Sequence, residues 1–128
     1  MSQQGNVGRY DLATGHTQLI KPVHPDGKYL RFNWNAAIAQ DPFNEDAIYY
    51  GSQFVHYSTD QGNNWKIISP DLTTNDKAKQ EQHKSGGLTF DATGAENFTT
   101  ILSIEPSPLD KNVIWVGTDD GNLQLTKD

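Results

Sequence analysis

The chain has 128 residues, 34% of them hydrophobic and 20% charged, with 11 Gly, 6 Pro, no Cys and a net charge of −6. That is one domain's worth of chain with a modest core, without disulfides, thiolate nucleophiles or Cys-based metal sites, and without the run of about 18 apolar residues that a membrane span needs. Only two arginines, Arg9 and Arg31, accompany the negative charge, which argues against a phosphate-tracking nucleic-acid surface. Met1 to Gly5 show neither the charged nor the apolar region of a signal peptide.

The first predicted element is a hairpin over 5–20, with Gly5-Asn6-Val7-Gly8-Arg9-Tyr10-Asp11, a turn at Ala13-Thr14-Gly15 and the strand His16-Thr17-Gln18-Leu19-Ile20. A repeat follows. Ile38, Pro42, Ile48 and Gly51 recur in register as Ile104, Pro108, Ile114 and Gly117, with a polar turn after each Pro. Each copy reads as strand, Pro-containing turn, then a short β-branched and aromatic strand ending at Gly. Phe54-Val55-His56-Tyr57-Ser58 continues the first copy and, after two extra residues, Asn122-Leu123-Gln124-Leu125-Thr126 continues the second. Gly5 to Asp11 parallel Gly121 to Lys127 as a third, partial copy.

The first copy runs on into Ser58-Thr59-Asp60-Gln61-Gly62-Asn63-Asn64-Trp65, an S-x-D-x-G-x-x-W octapeptide. Asp60 is suited to accept backbone N–H groups of its own turn, and Gly62 to supply a positive φ. Trp65 is expected to enter the next strand with its indole over the turn. The octapeptide resembles the Asp-box, or BNR repeat, of β-propellers such as sialidases, xyloglucanase-like glycoside hydrolases and sortilin-type Vps10 domains. Thr126-Lys127-Asp128 resembles the opening of a second Asp-box.

That resemblance implies an all-β chain of antiparallel propeller blades. With strands lettered A to D from the axis outward, 5–20 is a C–D hairpin, 30–68 a complete blade, 69–98 a long inter-blade connection and 99–128 strands A to C of the next blade. A ring takes typically about 4–8 blades, so the expected ring is incomplete: a segment of a longer propeller, or one of several copies that assemble. Further stretches, among them Tyr29 to Asn35, Ser69 to Asp76, Ser85 to Thr89, Gly94 to Asn97 and Trp115 to Asn122, are similar to a group of large bacterial proteins with sortilin-like BNR propellers, often labelled glycosyl hydrolases by fold. The resemblance implies a secreted or periplasmic setting, and fold alone assigns no activity.

Blade geometry sorts the polar residues. Ser58, Asp60, Gly62 and Trp65 fall at the C–D turn as structural groups; the alternative calcium reading lacks the alternating ligand spacing and terminal Glu of an EF-hand. The B–C loops and D–A connections lie at the other rim. There Asp119, Asp120 and Glu96 are the candidate catalytic carboxylates, set against the alternative that Asp120-Gly121 is an ordinary hairpin turn. Arg31, Asn33, Gln53 and Asn97 are candidate ligand contacts, Trp34 a candidate stacking platform or ordinary packing, and His83 a candidate base or ligand or simply an exposed loop residue. A short helix is expected over 77–84, capped by Thr74, Asn75 or Asp76. The four histidines lack metal spacing, and no cofactor motif occurs. The favoured function is non-catalytic recognition of a glycan or protein, or scaffolding, with self-association. Competing readings are a glycoside hydrolase using the rim carboxylates and a Vps10-like peptide binder using Arg31 or Glu96.

Overall fold

The structure, a computed structural model, describes residues 3–81, 84 and 97–127. The first sheet pairs β1 (Gly8–Tyr10) with β2 (Thr17–Leu19). The second holds β3 (Ile38–Gln40), β4 (Ile48–Gly51), β5 (Val55–Ser58) and β6 (Lys66–Ile67) in chain order. The third holds β7 (Ile101–Pro106), β8 (Ile114–Thr118) and β9 (Leu123–Thr126), also in chain order. Every pairing is antiparallel. The chain is thus all-β, with sheets stacked face to face as propeller blades in an incomplete ring.

Strand alternation makes the middle sheet apolar on both faces. Tyr49 and Tyr50, neighbours on β4, point to opposite sides. Tyr49 joins Ala37, Val55, Ile101, Ile104, Ile114 and Val116 between the second and third sheets. Tyr50 joins Val7, Ile20, Phe32 and Ala36 between the first and second. The Tyr50 hydroxyl donates to Gly5 O at 2.9 Å, and burial pushes it up to about 12.

Two registers coincide residue for residue. β4 and β5 pair Ile48 with Ser58, Tyr49 with Tyr57, Tyr50 with His56 and Gly51 with Val55. β8 and β9 pair Ile114 with Thr126, Trp115 with Leu125, Val116 with Gln124 and Gly117 with Leu123. The first sheet follows the same plan at its outer strand: Ile20 N donates to Val7 O at 2.9 Å, as Ile68 N donates to Val55 O at 3.0 Å.

The helix expected over 77–84 is replaced among the described residues by a 3₁₀ turn at Ala78–Gln80. Its one internal bond, Gln80 N to Lys77 O at 3.2 Å, spans three residues, and none of its residues is buried. A segment this short without an apolar face does not propagate an α-helix. Asp76 Oδ1 accepts Ala78 N at 3.0 Å at its start.

Candidate functional site

The two ends of the sheets are chemically unlike. At one end, the 59–65 turn sits beside the β3–β4 turn, with Gln61 N donating to Asp46 O at 2.9 Å. Asp60 is saturated from within its own loop. Its Oδ1 accepts Ser58 Oγ and Asn64 N, each at 2.8 Å, and its Oδ2 accepts Asn64 Nδ2 at 2.7 Å. Those bonds from Asn64 and Ser58 hold its carboxyl down at about 2. Ser58 Oγ also accepts Gly62 N at 2.8 Å, and Gln61 and Gly62 both have positive φ, 59° and 87°. A Cβ on Gly62 would lie 2.5 Å from Ile20 Cδ1, so close approach of the first sheet requires glycine as much as the turn does.

Trp65 reaches beyond its own turn. Its indole lies in the gap between the first and second sheets. Nε1 donates to Ile20 O at 2.6 Å, and the ring centroid is 6.1 Å from Tyr50 and 6.4 Å from His56. The apolar cluster of Val7, Ile20 and Phe32 offers the indole burial, and a backbone carbonyl takes its N–H.

The opposite end gathers five predicted residues into one network. Arg31 is buried; its backbone N donates to Gln53 Oε1 at 2.9 Å, Nε to Thr99 O at 3.2 Å, and Nη2 pairs with Asp71 Oδ2 at 3.0 Å. Gln53 Nε2 donates to Tyr29 O at 2.9 Å. Asn33 Nδ2 bridges Thr100 Oγ1 and Asp119 Oδ2, both at 3.1 Å, and Asn97 Nδ2 donates to Phe32 O at 3.3 Å. Asp119 also accepts Thr100 N at 2.9 Å and Thr100 Oγ1 at 2.7 Å. Asp120 is directed elsewhere, accepting Thr74 N and Oγ1 at 2.7 and 2.8 Å and the Thr118 hydroxyl. Burial pushes the Asp120 carboxyl up, but the bonds from Thr118 and Thr74 outweigh it and leave it below the ordinary carboxylate value. Trp34 stands apart at 46% exposure. His83 and Glu96 lie outside the described residues.

Several members of this rim carry no motif. Asp71, Thr73, Thr99 and Thr100 hold it together, and Thr99 does so at φ 59°, a strained backbone for a β-branched residue. Ser52 and His56, both 0% exposed, form a further polar pair, Oγ to Nε2 at 2.8 Å. Among the described residues no group of three or more His, Asp and Glu gathers as a metal site.

No protein-family profile matches the chain, and no curated protein sequence matches it significantly. Solved structures do. A GH74 xyloglucanase from Xanthomonas campestris superposes over 96% of this chain with a TM-score of 0.59 at 15% identity. The GH74 enzyme from Niastella koreensis superposes over 99% with a TM-score of 0.57 at 18% identity. The chain spans only 16% and 18% of those two proteins' lengths. At such identities the likeness is one of fold, and it is the propeller fold that the sheets display.

Proposed function

We propose that this chain is a non-catalytic propeller segment that recognises a glycan at the rim formed by its B–C loops and the connection beyond Ser69, with Trp34 as the stacking platform. The observation that supports this reading is the division of labour at that rim. Arg31, Asn33, Gln53, Asn97, Asp119 and Asp120 all spend hydrogen bonds on neighbouring loops, whereas Trp34 is 46% exposed. Glycoside hydrolysis requires two carboxylates flanking the bond, one of them protonated. Asp120, held below its ordinary value, is a poor proton carrier near neutrality. A peptide reading through Arg31 meets a guanidinium already committed to Asp71 and Thr73.

The fold shared with a xyloglucanase makes soluble β-glucans, xyloglucan oligosaccharides included, the first probes. Titration calorimetry is expected to show saturable binding to at least one of them. Trp34→Ala is expected to weaken it about tenfold, the scale of one aromatic stack, with no reducing sugar released. Release of reducing sugar by the chain, or unchanged affinity in Trp34→Ala, would refute the reading.

A further inference from the structure

The structure assigns a covalent modification site to the connection between β2 and β3: Asp26-Gly27 cyclises to a succinimide and reopens as isoaspartate, whereas Asp120-Gly121 is held against the same reaction. These are the two Asp-Gly steps of the chain. A glycine that follows an aspartate leaves its own backbone nitrogen unshielded by a side chain. A Cβ built on Gly27 or Gly121 would meet nothing within 4 Å.

The two backbones are matched. Gly27 N donates to His24 O at 2.9 Å and Gly121 N to Thr118 O at 3.3 Å, each closing a four-residue turn with the aspartate in third place. Both glycines have positive φ, 69° and 96°. The carboxyls differ. Asp120 gives one oxygen to Thr74 N and Oγ1, at 2.7 and 2.8 Å, and the other to the Thr118 hydroxyl. Asp26 is exposed, and its carboxyl has no hydrogen-bond or ionic partner among the described residues. Its backbone N donates to His24 Nδ1 at 3.0 Å.

In the reaction Gly27 N attacks Cγ of Asp26, a C–N bond forms, and the carboxyl hydroxyl leaves as water with the amide proton. Water then adds at the main-chain carbonyl of Asp26 and breaks that carbonyl's bond to Gly27 N. The main chain thereafter runs through Cγ, the former peptide carbonyl is a free carboxylate, and no net atom is gained or lost. Attack requires the side chain to rotate and its hydroxyl to leave. Three hydrogen bonds oppose that rotation at Asp120, and those from Thr118 and Thr74 favour its ionised form, which has no hydroxyl to lose. The change bears on the rim. The His24 ring is 5.6 Å from Phe54, and Tyr29 O accepts Gln53 Nε2, so the added main-chain methylene enters between two attachments to the same loop.

The 128-residue chain, incubated folded in neutral water enriched in heavy oxygen, is mapped by protease digestion and mass spectrometry. Each opening of a succinimide leaves one heavy oxygen, and isoaspartyl peptides separate from their parents on chromatography. Labelling is expected to run about tenfold or more faster at 26–27 than at 120–121, the scale of one hydrogen bond to a charged group that must break before attack. In urea the two steps are expected to label at comparable rates. Thr74→Val, at an exposed position, is expected to raise labelling at 120–121 and leave 26–27 unchanged. The assignment is overturned by equal labelling of the two steps in the folded chain, by faster labelling at 120–121, by labelling of 26–27 in urea alone, or by an undiminished ratio in urea, which would trace the difference to neighbouring residues instead of the carboxyl's bonds.

Discussion

His56 is fully buried on β5, with Nε2 against Ser52 Oγ at 2.8 Å and Nδ1 without a hydrogen-bond partner among the described residues. The Trp65 ring meets it edge-on at 6.4 Å, and His24 is the nearby titratable group. Burial, with a smaller contribution from His24, lowers its pKa from 6.5 to about 4. Above pH 6.5 the ring is neutral in both folded and unfolded chains, and stability is at its full value. Between pH 6.5 and about 4 the unfolded chain takes up a proton that the folded chain refuses, so stability falls as pH falls. The slope is about 1.4 kcal/mol per pH unit, and the loss reaches about 3 kcal/mol in total. Below about pH 4 this loss ends, and titration of Asp60, lowered to about 2, takes over. Urea midpoints from pH 7 to 4 are expected to show that fall, and His56→Gln to flatten it. An equal slope in the variant would remove His56 as its origin.

Packing of one sheet on the next turns on a glycine that ends a strand. A Cβ on Gly51 would lie 2.8 Å from Ile101 Cγ2 and 2.9 Å from Ile101 Cβ, both on the facing sheet. At the equivalent Gly117 a Cβ meets only Ser103 Oγ, at 2.7 Å, a hydroxyl that can rotate away. Gly51→Ala is therefore expected to destabilise by about 1–3 kcal/mol through overpacking, and Gly117→Ala by about 0.5 kcal/mol or less. Equal losses in denaturant unfolding would dismiss the contact with Ile101 as the cause. The two glycines also show which features a sequence exposes. The Ile-Pro-Ile-Gly recurrence is local and periodic, so the antiparallel strands, and with them the all-β propeller class, were legible. The polar rim was not, because it joins residues as distant as Asn33 and Asp119, 86 positions apart, through hydrogen bonds that leave no period. Loop geometry could nominate the residues that reach the rim. It could not reveal that Thr99, Thr100 and Asp71 would take up their hydrogen bonds. The reach of Trp65 was hidden for a related reason: its hydrogen-bond partner, Ile20, follows β2 of another sheet, 45 positions earlier.

The terminal sheets carry the middle sheet's pattern without its cover. Trp115 and Leu125 on the third sheet hold the places of Tyr49 and Tyr57, which the third sheet covers on the second. On that outer face Leu102, Trp115 and Leu123 are 48%, 44% and 70% exposed, and at the other end Tyr10, Leu12 and Leu19 are exposed as well. Apolar side chains grouped this way on one sheet lose free energy by meeting a similar face, and a second copy of the chain supplies one. The net charge of −6 opposes that meeting, so the two terms separate by their response to salt. Screening shortens the reach of repulsion to about 8 Å at physiological ionic strength and about 3 Å at 1 M, while apolar contact persists. Sedimentation velocity is expected to show concentration-dependent association of the chain that strengthens with added sodium chloride. Trp115→Ser combined with Leu123→Lys is expected to return it to monomer, whereas Gln124→Ala, on the opposite face of β9, leaves association intact. Association weakened by salt would mean that charge drives it, and a single monomeric species at high concentration would show that these faces do not meet.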